Sequence, residues 1–84
     1  METAKAKVEV RSLSVIAREI RKDWQKMYFG AVPYYQAMTT LNSINNSYGC
    51  DSAKSIVLYF LSNASTWKGP KAREIKLELN RMCK

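Results

Sequence analysis

The longest apolar run in the chain, Asp51 to Trp67, carries hydrophobic side chains at Ala53, Ile56, Val57, Phe60, Leu61, Ala64 and Trp67. This is the i, i+3, i+4, i+7 spacing of a helix face, and Leu58 widens the stripe past a half-turn. A helix patterned this way must be wrapped. Its other side, Ser52, Ser55, Tyr59, Ser62 and Thr66, is small and neutral rather than charged, so it too can lie against another backbone or a partner surface. A helix over about 52–67 is therefore expected at the centre of the fold.

Upstream, Leu13, Ile16, Ala17, Ile20, Trp24, Met27 and, at the margin, Tyr28 share a face. They predict a helix over about 13–27, with Ser12 or Ser14 as its cap and Gly30 at its end. Pro33 restarts the chain at a first helical position, where its missing N–H costs nothing. Tyr34, Ala37, Met38, Leu41 and Ile44 then line a second helix over about 33–45.

Asn45-Asn46-Ser47-Tyr48-Gly49 reads as a turn by composition, with Asp51 in the cap position of the central helix. Gly69, in a left-handed conformation, closes that helix, and Pro70 opens a last one over about 70–83. In it Ala72, Ile75, Leu79, Met82 and Cys83 face inward, and Leu77 points away. Residues 1–10 read as a flexible basic arm that can form a short strand at Val8 to Val10. The expected architecture is all-α: one compact four-helix domain over 11–84, packed around the central apolar helix, with no internal repeat.

At 84 residues a single core is only just sufficient. Nine aromatic residues and four Met make it feasible without staples, since aromatics remove large areas from water and Met fills irregular gaps.

Charge changes the picture more. Fourteen Lys and Arg stand against seven Asp and Glu, a net charge of +7. Arg11, Arg18, Arg21, Lys22 and Lys26 form the outer face of the first helix, softened by Glu19 and Asp23. Lys68, Lys71, Arg73, Lys76, Arg81 and Lys84 make the rim of the last helix basic. Two readings stand side by side: solvated faces that keep the protein dispersed, or steering surfaces for nucleic acid or an acidic protein.

From Met27 to Cys50 there is no charged residue at all. Tyr28, Phe29, Tyr34, Tyr35 and Tyr48 crowd this stretch, as core or as an exposed contact patch. Tyr28, Phe29, Tyr35 and Tyr48 are the candidate partner anchors. Arg11, Arg18, Arg21, Lys22, Lys26, Lys71, Arg73 and Lys76 are the candidate steering residues.

Candidate chemistry is sparse. Two cysteines, Cys50 and Cys83, and no histidine exclude the usual zinc spacings and the Ser-His and Cys-His pairs. Glu19 and Asp23 are too near each other and too exposed for an acid–base pair. Cys50 precedes a helix N-terminus that can lower its pKa, against the simpler reading of a spectator thiol. No catalytic, cofactor-binding or metal-ligating residue is assigned, and an enzyme is not expected. A helix-turn-helix fails on spacing, because the joint from about Asn45 to Asp51 is too long and the helix after it too apolar for a groove. Looser phosphate contacts stay open, from the Arg18 and Lys22 face, the Lys71, Arg73 and Lys76 face, and Lys5 and Lys7 in the arm.

No apolar run reaches the ~20 residues a bilayer span needs, and METAKAKVEV has no apolar signal core. A cytoplasmic protein with reduced thiols and no membrane partner is expected.

The segments IAREIRKDW (Ile16–Trp24), YFGAVPYYQAM (Tyr28–Met38), YGCDSAKSIVLYFLSNASTWKG (Tyr48–Gly69) and AREIKLELN (Ala72–Asn80) resemble small uncharacterised proteins of bacteriophages and mobile elements in gut bacteria. The resemblance covers about Leu13 to the end and implies a genomic setting, with no role for any residue. By class-level analogy, such proteins are accessory factors that bind host machinery, including inhibitors of CRISPR-type defence. The leading expectation is thus a non-enzymatic phage or mobile-element protein that occupies a host protein or nucleoprotein complex. The alternative is a DNA- or RNA-binding accessory or regulatory protein that uses the basic faces of helices one and four.

Overall fold

Polar side chains near the helix ends, more than the apolar stripes, set where the helices stop. The computed structural model describes residues 11–49 and 51–83, so the expected arm at 1–10, with its strand at Val8 to Val10, and Cys50 lie outside the described residues. Within them the chain forms α1 (Leu13–Asp23), α2 (Val32–Met38), a hairpin of β1 (Ser47–Tyr48) and β2 (Asp51–Ser52), α3 (Ala53–Ser62) and α4 (Pro70–Met82). This is the expected small all-α domain of four helices.

Ser12 caps α1, its hydroxyl accepting from the Ser14 N–H. The backbone N–H of Ser14 also donates to the Leu41 carbonyl at 2.9 Å, which ties the start of α1 to the chain leaving α2. Leu13, Ile16, Ala17 and Ile20 are buried as the periodicity required. The helix stops at Asp23, short of the expected Met27, because Trp24 leaves helical space at φ −109° and ψ 73°. Its indole lies against Trp67, with centroids 5.6 Å apart and planes 9° off parallel. Phe60 meets Trp24 and Trp67 edge-on at 6.2 and 6.4 Å. The Trp67 indole N–H donates to the Asp23 carboxylate at 2.8 Å, so the last residue of α1 satisfies the polar atom of that ring.

The second helix is shorter than the expected 33–45. Thr39 and Thr40 donate their hydroxyls to the Gln36 and Ala37 carbonyls at 2.6 and 2.8 Å, and such local bonds compete with continued helix. Ala37, Met38 and Leu41 are still buried, with Tyr34 and Ile44 packed beside them.

The hairpin corrects the reading of 45–49 as a plain turn. Ser47 pairs with Ser52 and Tyr48 with Asp51, antiparallel. Gly49, at φ 63°, supplies the positive φ that the first position of a primed two-residue turn requires. Pairing places Asp51 in the strand, so Ser52, not Asp51, caps α3 by accepting from the Ser55 N–H at 3.1 Å.

The central helix ends at Ser62 rather than at 67. Ser62 and Asn63 side chains turn back onto the Leu58 and Tyr59 carbonyls at 3.0 and 2.9 Å. Ala64 and Trp67 reach the core from the following turns instead. Leu58, expected on the core stripe, is 43% exposed. Gly69 caps α4 with φ 116° and ψ 174°, a positive φ as expected but extended rather than left-handed helical. Ala72, Ile75, Leu79 and Cys83 are buried, Met82 packs beside them, and Leu77 faces out. Among the described residues no helix is long and apolar enough to cross a membrane.

Candidate macromolecule-binding surface

The outward face of α1 carries Arg18, Arg21 and Lys22, and Gln25, just past its end, keeps the same i, i+3, i+4, i+7 spacing that the apolar face uses. These four side chains and Tyr35 of α2 line an open groove of about 640 Å³ with no acidic residue on its wall among the described residues. Arg21 donates to the Gln25 carbonyl at 2.7 Å beyond the last turn of α1. A guanidinium there complements the negative end of the helix. Among the described residues no carboxylate pairs with Arg18 or Lys22. Lys26 is exposed just past the groove.

The remaining cations sit in different surroundings. Arg11 donates to Glu78 through Nε and Nη2 at 3.0 and 2.7 Å, and its other nitrogen pairs with Glu19. This clasp joins the N-terminal end of α1 to α4, so the Arg11 charge is already neutralised by protein. The bond from Arg11, and secondarily the nearby positive charges, hold the Glu19 carboxyl below its ordinary value. Lys71 faces Glu74 at 3.5 Å and shares a hollow with Glu19, Lys22 and Asp23, where both signs are present.

Lys76 Nζ donates to the Trp67 carbonyl at 2.7 Å and lies 5.8 Å from the indole centroid. Burial, and then the charge of Lys68, pushes its pKa down. Arg73 lines a hollow with Lys68, Lys76, Trp67 and the start of α4. Of the eight candidate steering residues, Arg18, Arg21 and Lys22 are therefore the three that one groove brings together.

The uncharged stretch follows them in the chain. Tyr28 and Phe29 follow Gln25 closely, are 44% and 79% exposed, and lie 4.9 Å apart at 56°. Gly30 leaves room for this arrangement, since a Cβ there would fall 2.5 Å from the Tyr28 ring and 2.9 Å from Asn63 Oδ1 and would displace both side chains. The glycine expected as a helix end is thus a close-approach position instead. Tyr35 is half-buried, with one side on the core and the other on the groove. The Tyr48 backbone pairs in the hairpin, and its side chain lies outside the described set.

Tyr59 was not among the anchors expected from sequence, yet it is 53% exposed and packs on Tyr34 at 5.5 Å. The neutral Ser55, Tyr59 and Ser62 stripe was the signal for it. Asp23 has a structural task as the acceptor for Trp67. Cys83 is buried, and burial raises its pKa. Among the described residues no three His, Cys, Asp or Glu side chains come together as a metal site.

The surface thus has a cationic groove walled in part by Tyr35, and exposed rings at Tyr28 and Phe29 a few residues along the chain from Gln25. No protein-family model, curated protein or solved structure matches the chain.

Proposed function

We propose that the protein acts without catalysis, in the cytosol, by stoichiometric binding of a nucleoprotein target through the α1–α2 face. The observation that carries this reading is the groove of Arg18, Arg21, Lys22, Gln25 and Tyr35, free of acidic lining among the described residues, with the exposed Tyr28 and Phe29 pair three and four residues beyond Gln25. Cations at a rim steer an anionic partner and fix its orientation, whereas aromatic side chains supply most of the area-dependent affinity. A target that presents both phosphate and protein surface uses both halves of this face. A CRISPR-type defence effector is such a target. That narrower assignment rests on the resemblance to phage and mobile-element proteins, and the groove supports only the wider class.

Affinity capture from the natural host, with and without nuclease treatment, tests the reading. The parent protein is expected to retain a protein complex that contains nucleic acid. Arg18→Glu with Lys22→Glu should reduce the capture, and Phe29→Ala with Tyr28→Ala should reduce it more, because truncated aromatic anchors cost roughly 2 kcal/mol or more at an interface. Capture indifferent to both pairs of substitutions would remove this face from the function.

A further inference from the structure

The reading above leaves open which part of a nucleoprotein the groove holds, and the inference here rests on that reading. We infer that the α1–α2 groove takes the phosphate backbone of a single-stranded nucleic acid and that Phe29 stacks on one of its bases. Three cations on one helix face line a groove without an acidic residue among the described ones, which suits successive phosphates rather than a neutral ligand. Arg18 and Lys22 lie one helical turn apart, about 6 Å along the axis, so they serve neighbouring charges and not one shared charge.

The aromatic neighbours decide the strand state. Phe29 is 79% exposed and lies four residues beyond Gln25 of the groove wall. That length of chain spans at most about 14 Å. Base faces are accessible in a single strand and are stacked away in a duplex, so of the two strand states it is the unpaired one whose bases a ring this exposed, within that reach of the groove wall, can stack on. The surface from Met27 to Gly49 carries no charge. Within this part of the surface the cations of the groove attract the backbone and the exposed ring offers a stacking face, the division of labour of sequence-tolerant single-strand binding. Tyr35, wedged between core and groove, is a fixed wall against which the strand lies.

Fluorescence anisotropy with a labelled single strand of about 12 nucleotides tests this, against a duplex of the same length and an abasic strand with the same phosphates. The base-bearing single strand should bind tightest. With two to three phosphates neutralised, log affinity should fall with log salt at a slope of about −1.4 to −2. Phe29→Ala should weaken binding of the base-bearing strand about tenfold and leave the abasic strand unchanged. Arg18→Glu with Lys22→Glu should weaken both strands and flatten the slope. All three substituted side chains are exposed, and circular dichroism of each variant confirms that the fold is kept.

A duplex bound as tightly as the single strand, an abasic strand bound as tightly as the base-bearing one, or no binding at low salt each overturns the inference. If host capture still depends on Arg18 and Lys22, the wider reading stands without it. If that dependence is lost too, both fall.

Discussion

Phe60 is fully buried against two stacked indoles, meeting Trp24 and Trp67 edge-on. Phe60→Ala would leave a cavity that this stacked pair cannot close, so a loss of about 3–5 kcal/mol is expected in urea denaturation. A midpoint equal to that of the parent would mean the cluster is not the core's centre. Asp23 offers a sharper test of one atom. With Trp67 only 2% exposed, Asp23→Ala leaves its indole N–H without the acceptor and should cost about 1–2 kcal/mol. Asp23→Asn keeps a carbonyl oxygen in place and should recover most of that. Two identical losses would assign the effect to charge rather than to the hydrogen bond.

At the scale of elements, competition between local polar groups decides the boundaries. Ser52 rather than Asp51 holds the cap of α3 because the hairpin draws Asp51 into register with Tyr48. Ser52→Ala should therefore cost about 1 kcal/mol and Asp51→Ala less, as read from paired urea midpoints. The α1–α4 clasp gives a pH dependence with a definite sign. Glu19 is held below its ordinary value of 4.5, first by the hydrogen bond from Arg11. A carboxylate depressed in the folded state contributes stability that is present above its unfolded pKa and lost as pH falls toward its folded one. Stability should decline below about pH 4.5, and Glu19→Gln should flatten that decline. The effect is small because the Glu19 side chain is 36% exposed and solvent-screened. Denaturant midpoints across the acid range measure it, and parallel pH profiles for parent and variant would exclude Glu19 as the source.

For the whole molecule, the arrangement separates binding from folding. The core lies on the inner faces of all four helices, whereas Arg18, Lys22 and Phe29 are exposed outside it. Reversing Arg18 and Lys22 reduces a net charge of +7, which relieves self-repulsion rather than removing contacts. Thermal unfolding of that variant should match or slightly exceed the parent's while its nucleic acid binding falls. A large drop in melting temperature would show that the groove cations are structural.

Sequence alone determined the helix count, the buried stripes Leu13, Ile16, Ala17, Ile20 and Ala53, Ile56, Val57, Phe60, and the outward Leu77, because period and burial are coupled through the hydrophobic effect. It also marked the basic face of α1 and the uncharged aromatic stretch from Met27 to Cys50. Tertiary structure decided the rest. Periodicity carries Trp24, Met27, Ala64 and Trp67 onto helical stripes, yet these residues lie outside the helices, since a helix ends where side chains capture its carbonyls or where a ring packs better off the axis. The joining of Arg18, Arg21, Lys22 and Tyr35 in one groove, and the withdrawal of Arg11 and Lys76 into internal contacts, depend on partners distant in sequence: Glu78 lies 67 residues from Arg11. Charge is legible residue by residue, but whether it is spent inside the protein is a property of which helices meet.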